Sequence, residues 1–497
     1  MCSTLQAPTR ATRREWTGLA VIALPCLVYA MDLTVLNLAL PAISADLRPD
    51  PAQLLWIIDI YGFMVAGLLI TMGTLGDRIG RRRLLLIGAA AFALTSLLAA
   101  FSHSAETLIA ARALLGIAGA TLAPSTLSLI RNMFHDEHER QFAIGIWITA
   151  FSVGSAIGPL AGGLVLQHWS WGATFLPAVP VMLLLLALGP ALLPEYRDPQ
   201  AGRIDAASVA LSIAAVLSCI YGLKQAAAHE FGLTEAAALA AGIVFGVLFV
   251  HRQRRLTDPL LDLALFARPA FSATIAAYAL SCLAIFGVYI FITQYLQWVL
   301  GLSPLQAGLA ILPWSLGFVF GSLLTPRLAR RVAASRILIG GMAVTTVGFA
   351  LLCATGGPHT LPVLIAATVV MSLGMAPVFT VGNDIIVSSA PAERAGAAAA
   401  LSETSAEFSG ALGIALFGSL GTLIYRHGLE ARLPGSVSPG TLGDTLEQAA
   451  AAGAAGEALA TAARAAFTDA LQFTALCGAL LVGAACVLVI RLLRTRD

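Results

Sequence analysis

The chain has 497 residues, enough for three ordinary soluble domains, yet 58% of them are hydrophobic and only 11% are charged. A soluble domain carries roughly 25% charged residues, so a water-soluble body of this size is excluded for want of a polar surface. Lys+Arg 29 against Asp+Glu 27 gives a net charge of +2, which leaves no basic surface for nucleic acid.

In chain order, apolar runs fall at 16–41, 52–76, 84–101, 106–130, 141–167, 173–194, 204–224, 233–250, 271–299, 304–326, 336–354, 361–387, 396–425 and 470–490. A helix crosses the hydrocarbon core in about 20 residues. The runs therefore predict an all-α polytopic membrane protein with fourteen transmembrane helices. The first run is too long for a signal-peptide core and lacks a small-residue cleavage site, so it counts as a helix. Connectors are short except for 426–469. The Ala-rich part of that stretch, about 441–466, reads as one surface helix without a distinct apolar face. Seven scattered cysteines show no metal-ligand spacing and read as small hydrophobes.

Arginine placement orients the spans. With the N-terminus in the cytoplasm, 23 of the 29 basic residues fall on that side, from Arg10 through the Arg78–Arg83 cluster to Arg496. Arg48, Lys224, Arg426, Arg432 and Arg464 fall on the other, and Arg112 lies within a span. An even span number puts both termini in the cytoplasm and the 426–469 loop outside. High Ala, Gly and Arg content with a single Lys is associated with GC-rich bacterial genomes. The expected location is thus a bacterial cytoplasmic (inner) membrane.

The loop after span two, Gly73–Arg82 (GTLGDRIGRR), is echoed after span ten by Ser322–Arg331 (SLLTPRLARR). Arg78, Arg81 and Arg82 align with Arg327, Arg330 and Arg331, while Pro326 stands in place of Asp77. Matching span two to span ten divides the chain into six spans in 1–195, two additional helices in 196–258 and six more in 259–497. Parallel six-helix repeats are a transporter architecture. A chance match is the plainer alternative, because arginine is common at cytoplasmic helix ends.

An ionisable side chain within hydrocarbon is costly and marks a functional candidate. Asp32, Asp59, Asp384, Glu403 and Glu407 lie within spans or near their ends. From the helical rise, Asp32 lies roughly 13 Å from the outer end of its span, Asp59 about 12 Å and Arg112 about 9 Å. At matching depth, Arg112 is expected to pair with Asp32 or Asp59 when no substrate is bound, since unpaired charges would be costly there. A static staple between helices is the plainer reading. Glu403 and Glu407, four residues apart, share one helix face, and Glu407 lies near the midplane, roughly 17 Å along its span. Two like charges there repel, and either a proton or a cation relieves the repulsion. Proton and cationic cargo would compete for the same oxygen, the simplest chemistry for antiport. Glu407 ranks first for this role, then Asp32, then Asp59. Glu403 reads alternatively as a solvated vestibule residue, and Asp384, nearer the cytoplasmic end, as a capping or gating residue.

Span nine carries Tyr278, Phe286, Tyr289, Phe291, Gln294, Tyr295, Gln297 and Trp298. With Trp56, Tyr61 and Trp314, these aromatics could form a loosely specific pocket for delocalised cations. Interface-belt positions are the plainer assignment for any one of them. The stretch Gly154–Gly163 (GSAIGPLAGG) holds four glycines and Pro159, a composition for close helix approach and a bend. No nucleophile elbow, HExxH or phosphate loop is present, so neither an enzyme nor ATP coupling is expected. The driving force would be an ion gradient, with no cofactor.

Taken together, these motifs resemble the major facilitator superfamily, and more narrowly its fourteen-span drug:proton antiporters, which include quaternary-ammonium and multidrug exporters. Gly73–Arg82 is similar to the superfamily signature between helices two and three. Met31–Pro41 (MDLTVLNLALP) resembles the first-helix motif of the drug antiporters, and Leu55–Tyr61 (LWIIDIY) the second helix of the quaternary-ammonium exporters. Arg112–Gly116 (RALLG) resembles the fourth-helix motif with Leu115 where Gln is usual. Gly154–Gly163 matches the antiporter motif of helix five.

The resemblance implies two six-helix bundles plus two extra central helices. It implies proton-coupled efflux of lipophilic, cationic drugs by alternating access, with protons, small lipophilic cations and the bilayer as partners and a monomer as the working unit. It further implies a cytoplasmic latch built from Gly73, Asp77, Arg78, Gly80 and Arg81, without an equivalent in the second half. Gly154, Gly158, Pro159, Gly162 and Gly163 would form a bent seam facing the opposite half. A same-fold exporter of one metabolite or self-made antibiotic is the first alternative, and a non-transporting receptor the second.

Overall fold

The computed structural model describes residues 10–49, 51–197, 205–228, 232–257, 259–357, 359–433 and 442–494. Among them every regular element is helical, and fourteen helices are long and apolar enough to cross a membrane. The first half comprises α1 (Arg13–Leu47), α2 (Pro51–Ile79), α3 (Arg81–Ala100), α4 (Ala105–Gly119), α5 (Leu122–Met133), α6 (Glu137–His168) and α7 (Ala178–Leu192), with α4 and α5 forming one interrupted span. Two additional helices follow, α8 (Ala206–Ala228) and α9 (Leu233–Gln253). The second half comprises α10 (Pro269–Gln294), α11 (Pro304–Ala329), α12 (Ala334–Leu352), α13 (Thr360–Ser389), α14 (Ala395–Arg432), the short α15 (Leu442–Ala451) and α16 (Glu457–Arg494).

Helix starts follow from local chemistry. Thr12 and Glu15 form a capping box at α1, with the Thr12 amide donating to the Glu15 carboxylate at 2.7 Å. Asp136 accepts from the Glu139 amide at 3.0 Å and opens α6.

In a bilayer, helices gain little from hiding apolar surface from one another, so close approach at small residues does much of the assembly. A Cβ on Gly154 or Gly158 of α6 would strike the Leu27 carbonyl or the Thr34 side chain of α1. In the second half, a Cβ on Gly413 of α14 would strike the Leu283 carbonyl of α10. By the repeat register, α6 on α1 and α14 on α10 are the same packing made twice. Gly154 and Gly158 therefore face α1 of their own half, which for these two corrects the expectation that they face the opposite half. Glycine announces close approach without saying to which neighbour. The backbone runs unbroken through the stretch, α6 being one helix, and the Pro159 side chain lies outside the described residues.

Two apolar cores result, one from α1 to α7 and one from α10 to α16, and Phe318 and Phe379 pack against both. The added α8 lies on α9, α2 and α14, where Val216, Leu217 and Ile220 meet Phe63 and Ala66 of α2 and Phe408 and Ala411 of α14. The 441–466 region also differs from expectation. It divides at Gly453, whose φ of 59° breaks a helix. Leu442, Thr445 and Ala449 of α15 are buried, and the Tyr425 hydroxyl and the Thr445 hydroxyl are 2.9 Å apart. Residues from Glu457 onward belong to the last span. The six cysteines described here are free thiols.

Candidate functional site

Arg112 of α4 and Asp32 of α1, 2% and 5% exposed, lie 3.7 Å apart from Nη1 to Oδ2. The Arg112 Nε donates to the Ile57 carbonyl at 2.6 Å, and the guanidinium sits 5.2 Å from the Tyr61 ring centroid. Gly116, one turn further along α4, makes this possible, because a Cβ there would lie 2.6 Å from the Tyr61 carbonyl. Asp59, half-buried on α2, adds a second negative charge to the surroundings of the same guanidinium. A buried pair of this kind is a weak stabiliser, but removing one member strands the other. At 3.7 Å the two charges attract without closing a hydrogen bond.

On α14, Glu403 is half-buried and Glu407 exposed. Tyr29 of α1 and Cys282 of α10 lie in the electrostatic surroundings of both carboxylates, and Tyr61 of α2 in those of Glu407. Tyr29 also lies in the electrostatic surroundings of Asp32. The charged site is therefore spread over α1, α2, α4 and α14.

Towards the arginine-rich end the halves meet. Tyr278, Phe379 and Phe318 form a run of rings with centroids 4.7 and 5.6 Å apart. Beside them the buried Ser402 hydroxyl donates to Asn383 Oδ1 at 2.6 Å. Sequence reading missed Phe318 and Phe379; aromatics within apolar spans carry no mark distinguishing a plug between halves from ordinary core.

Two seams close this end. In the first, Asp77 of α2 accepts from the Gly396 and Ala397 amides at 3.0 Å each and from Arg81 Nε at 2.9 Å. Gly396 and Ala397 open α14, so their amides have no intrahelical acceptor, and the carboxylate also meets the positive end of the helix dipole. Gly73 brings the helices together, since its Cβ would lie 2.5 Å from both the Ala400 Cβ and the Gly396 carbonyl oxygen. Gly80 adopts a φ of 110° at the start of α3. Arg81 is fully buried, and the half-buried Arg78 lines a cleft with Asp262 and Glu393.

In the second seam, Arg140 Nε of α6 contacts Asp384 Oδ1 of α13 at 2.5 Å, and Gln141 Nε2 donates to Asp384 Oδ2 at 3.3 Å. A Cβ on Gly145 of α6 would lie 2.7 Å from the Ser322 carbonyl of α11. Asp384 thus joins the halves. Its partner Arg140 was counted only as one arginine of many, and nothing in the linear sequence singles it out.

The expected aromatic pocket is only partly assembled. Tyr289 and Trp314 form a half-buried pair with centroids 6.0 Å apart. Trp56 is 43% exposed and edge-on to Phe63. Tyr61 is fully buried under Arg112, and Tyr295, Phe291 and Tyr278 belong to the second core. Tyr295 is thereby corrected from a cavity residue to a packing residue, because aromatic spacing alone does not separate a helix's cavity face from its core face.

Among relatives, the chain is 46% identical over 495 residues, 98% of it and 97% of the other, to the multidrug efflux pump LfrA of Mycolicibacterium smegmatis. It is 35% identical to the methyl viologen resistance protein SmvA of Salmonella typhimurium, over 82% of each chain. Its fold is similar to that of the human organic anion transporter MFSD10, with a TM-score of 0.63 at 16% identity, covering 94% of this chain and 99% of that one. By name the first is an efflux pump and the third a transporter. With the profile of the Major Facilitator Superfamily matching residues 22–414 of a fourteen-span helical chain, and a multidrug efflux pump similar to it over nearly its whole length, the protein belongs to that superfamily.

Proposed function

We propose that the protein is a proton-coupled antiporter that exports lipophilic cations by alternating access across a bacterial cytoplasmic membrane, working as a monomer without a cofactor. Arginine asymmetry supports an orientation with the seamed end and both termini in the cytoplasm. The observation that carries the reading is the pair of α14 carboxylates: Glu403 and Glu407 both lie within electrostatic reach of Tyr29, and Glu407 also of Tyr61, in the opposite half. Either a proton or a cation can neutralise them, and occupancy by one opposes the other. Asp32 and Arg112 supply a second acid whose pairing can respond to that occupancy. One relative's name carries resistance to methyl viologen, a dipyridinium dication, which agrees with a cationic cargo.

Inverted membrane vesicles test this directly. A lipophilic quaternary ammonium should accumulate on imposing a proton gradient. Glu407→Gln should lower that accumulation about tenfold or more, since several kcal/mol of electrostatic coupling are removed, and should abolish the pH dependence of cation binding. Retention of both by Glu407→Gln would refute the reading. Accumulation of one neutral or anionic compound, with no cation counterflow, would establish a narrower carrier instead.

A further inference from the structure

Just beyond α7 the chain runs extended through Leu193-Pro194-Glu195-Tyr196 and is fastened to the first half at nearly every residue. Glu195 accepts from the Arg82 amide at 3.2 Å and the Arg83 amide at 3.1 Å, capping the start of α3. Arg82 Nη1 donates to the Pro190 carbonyl at 3.1 Å and the Leu193 carbonyl at 3.0 Å. The Arg81 amide donates to the Tyr196 carbonyl at 3.2 Å.

The Tyr196 side chain leaves this strap and crosses between the halves. Its hydroxyl donates to Glu393 Oε1 at 2.9 Å, and its ring lies 5.2 Å from the Arg81 guanidinium. Glu393 sits in the one-turn segment Ala392–Arg394 that leads into α14, three residues before the first amide held by Asp77. Arg81 Nη2 also donates to the Glu393 carbonyl at 3.3 Å. Strap and latch therefore grip one residue, by its side chain and by its backbone. Local backbone and Tyr196 hydrogen bonds hold the Glu393 carboxyl below the usual carboxylate range, so the bond is charge-assisted at neutral pH.

We infer that Tyr196 is a positioning residue of the transport cycle: by holding Glu393 it sets the opening turn of α14 where Asp77 can meet the Gly396 and Ala397 amides. The inference rests on alternating access but on neither the cargo nor the coupling ion. Its test needs no cargo and no gradient, so it can fail without touching the proposed chemistry.

Hydrogen–deuterium exchange on the intact protein in lipid nanodiscs reads the latch through peptides spanning Gly396 and Ala397. A net hydrogen bond to a charged group supports a rise in exchange of about tenfold to a hundredfold in Tyr196→Phe, which keeps the ring over Arg81 and loses only the hydroxyl. Glu393→Gln should act in the same direction, and the double variant should rise no further than the larger single one. The far end of α13, around Thr360–Leu364, should exchange as in the wild type. Unchanged exchange at Gly396 and Ala397 in Tyr196→Phe overturns the inference. So does a rise spread equally over both ends of the molecule, or single effects that multiply in the double variant.

Discussion

The two seams at the arginine-rich end are repeats of one another in register and opposites in chemistry. Gly73 of α2 against α14 corresponds to Ser322 of α11 against α6, and in each case a missing or small side chain lets backbones touch. At the first seam Asp77 then caps a helix start across the boundary. At the second its counterpart is Pro326, whose Cγ would lie 3.9 Å from a Cβ on Gly145, in the interior of α6, where amides are already bonded within the helix. The charge is supplied instead by Arg140 and Asp384 from a neighbouring position. One repeat thus closes by a carboxylate on a helix terminus, and the other by an ion pair beside bare backbone packing. A duplicated loop keeps its shape more readily than its electrostatics.

Three substitutions probe this contrast, in decreasing order of expected effect. Asp384→Ala leaves Arg140 buried without its partner, a change that costs about 3–5 kcal/mol. Thermal unfolding of the purified protein should shift strongly downward, and Arg140→Leu combined with Asp384→Leu should recover most of the loss. A melting temperature unmoved by Asp384→Ala would show that the ion pair holds nothing.

Asp77→Asn keeps an acceptor but removes the charge facing the α14 start, worth about 1–2 kcal/mol or roughly tenfold in the open-to-closed ratio. Pulsed spin-label distances between Arg83 and Arg331, both exposed and on opposite halves, should gain a longer population. An unaltered distribution would mean that the two seams are not chemically distinct in strength.

The smallest effect is expected away from both seams, at the pair of Asp205 with Arg252, where Nε–Oδ2 is 2.5 Å at an exposed helix end. Hydrogen bonds from Arg252 and Ser208 hold the Asp205 carboxyl well below its usual range. A depressed carboxylate stabilises the fold at all pH above its unfolded value, and the contribution is lost only as pH falls towards the folded one. The small difference in melting temperature between wild type and Asp205→Asn should therefore be equal at pH 7 and pH 5. A difference between those two values would place the titration elsewhere.

Much of this molecule was readable in one dimension. Fourteen spans follow from hydrocarbon thickness, and helical rise applied to three sequence offsets puts Arg112 at the depth of Asp32 and Asp59, between which only the structure chooses Asp32. Asp77 stood out as an acid between glycines, and Asp384 as an acid near a span's end. What stayed hidden depends on partners remote in sequence. Arg140 and Asp384 are 244 residues apart, and Tyr196 and Glu393 are 197 apart. Nothing local distinguishes Arg140 from the arginines that merely orient spans, or Tyr196 from an interface tyrosine. The glycines of span five signalled contact but not its direction. Around Gly453, a run of good helix formers masked a turn that a single left-handed residue imposes.

The placement of α8 bears on how the first seam can part. It rests at once on α2 and α14, the two walls that the proposed alternating access would part, through Phe63, Ala66, Val216, Leu217, Phe408 and Ala411. Apolar contacts of this sort have no preferred direction, so sliding breaks no bond that must be re-formed elsewhere. The inserted helix can then behave as a gasket, keeping lipid out of a widening joint while leaving the joint free to travel.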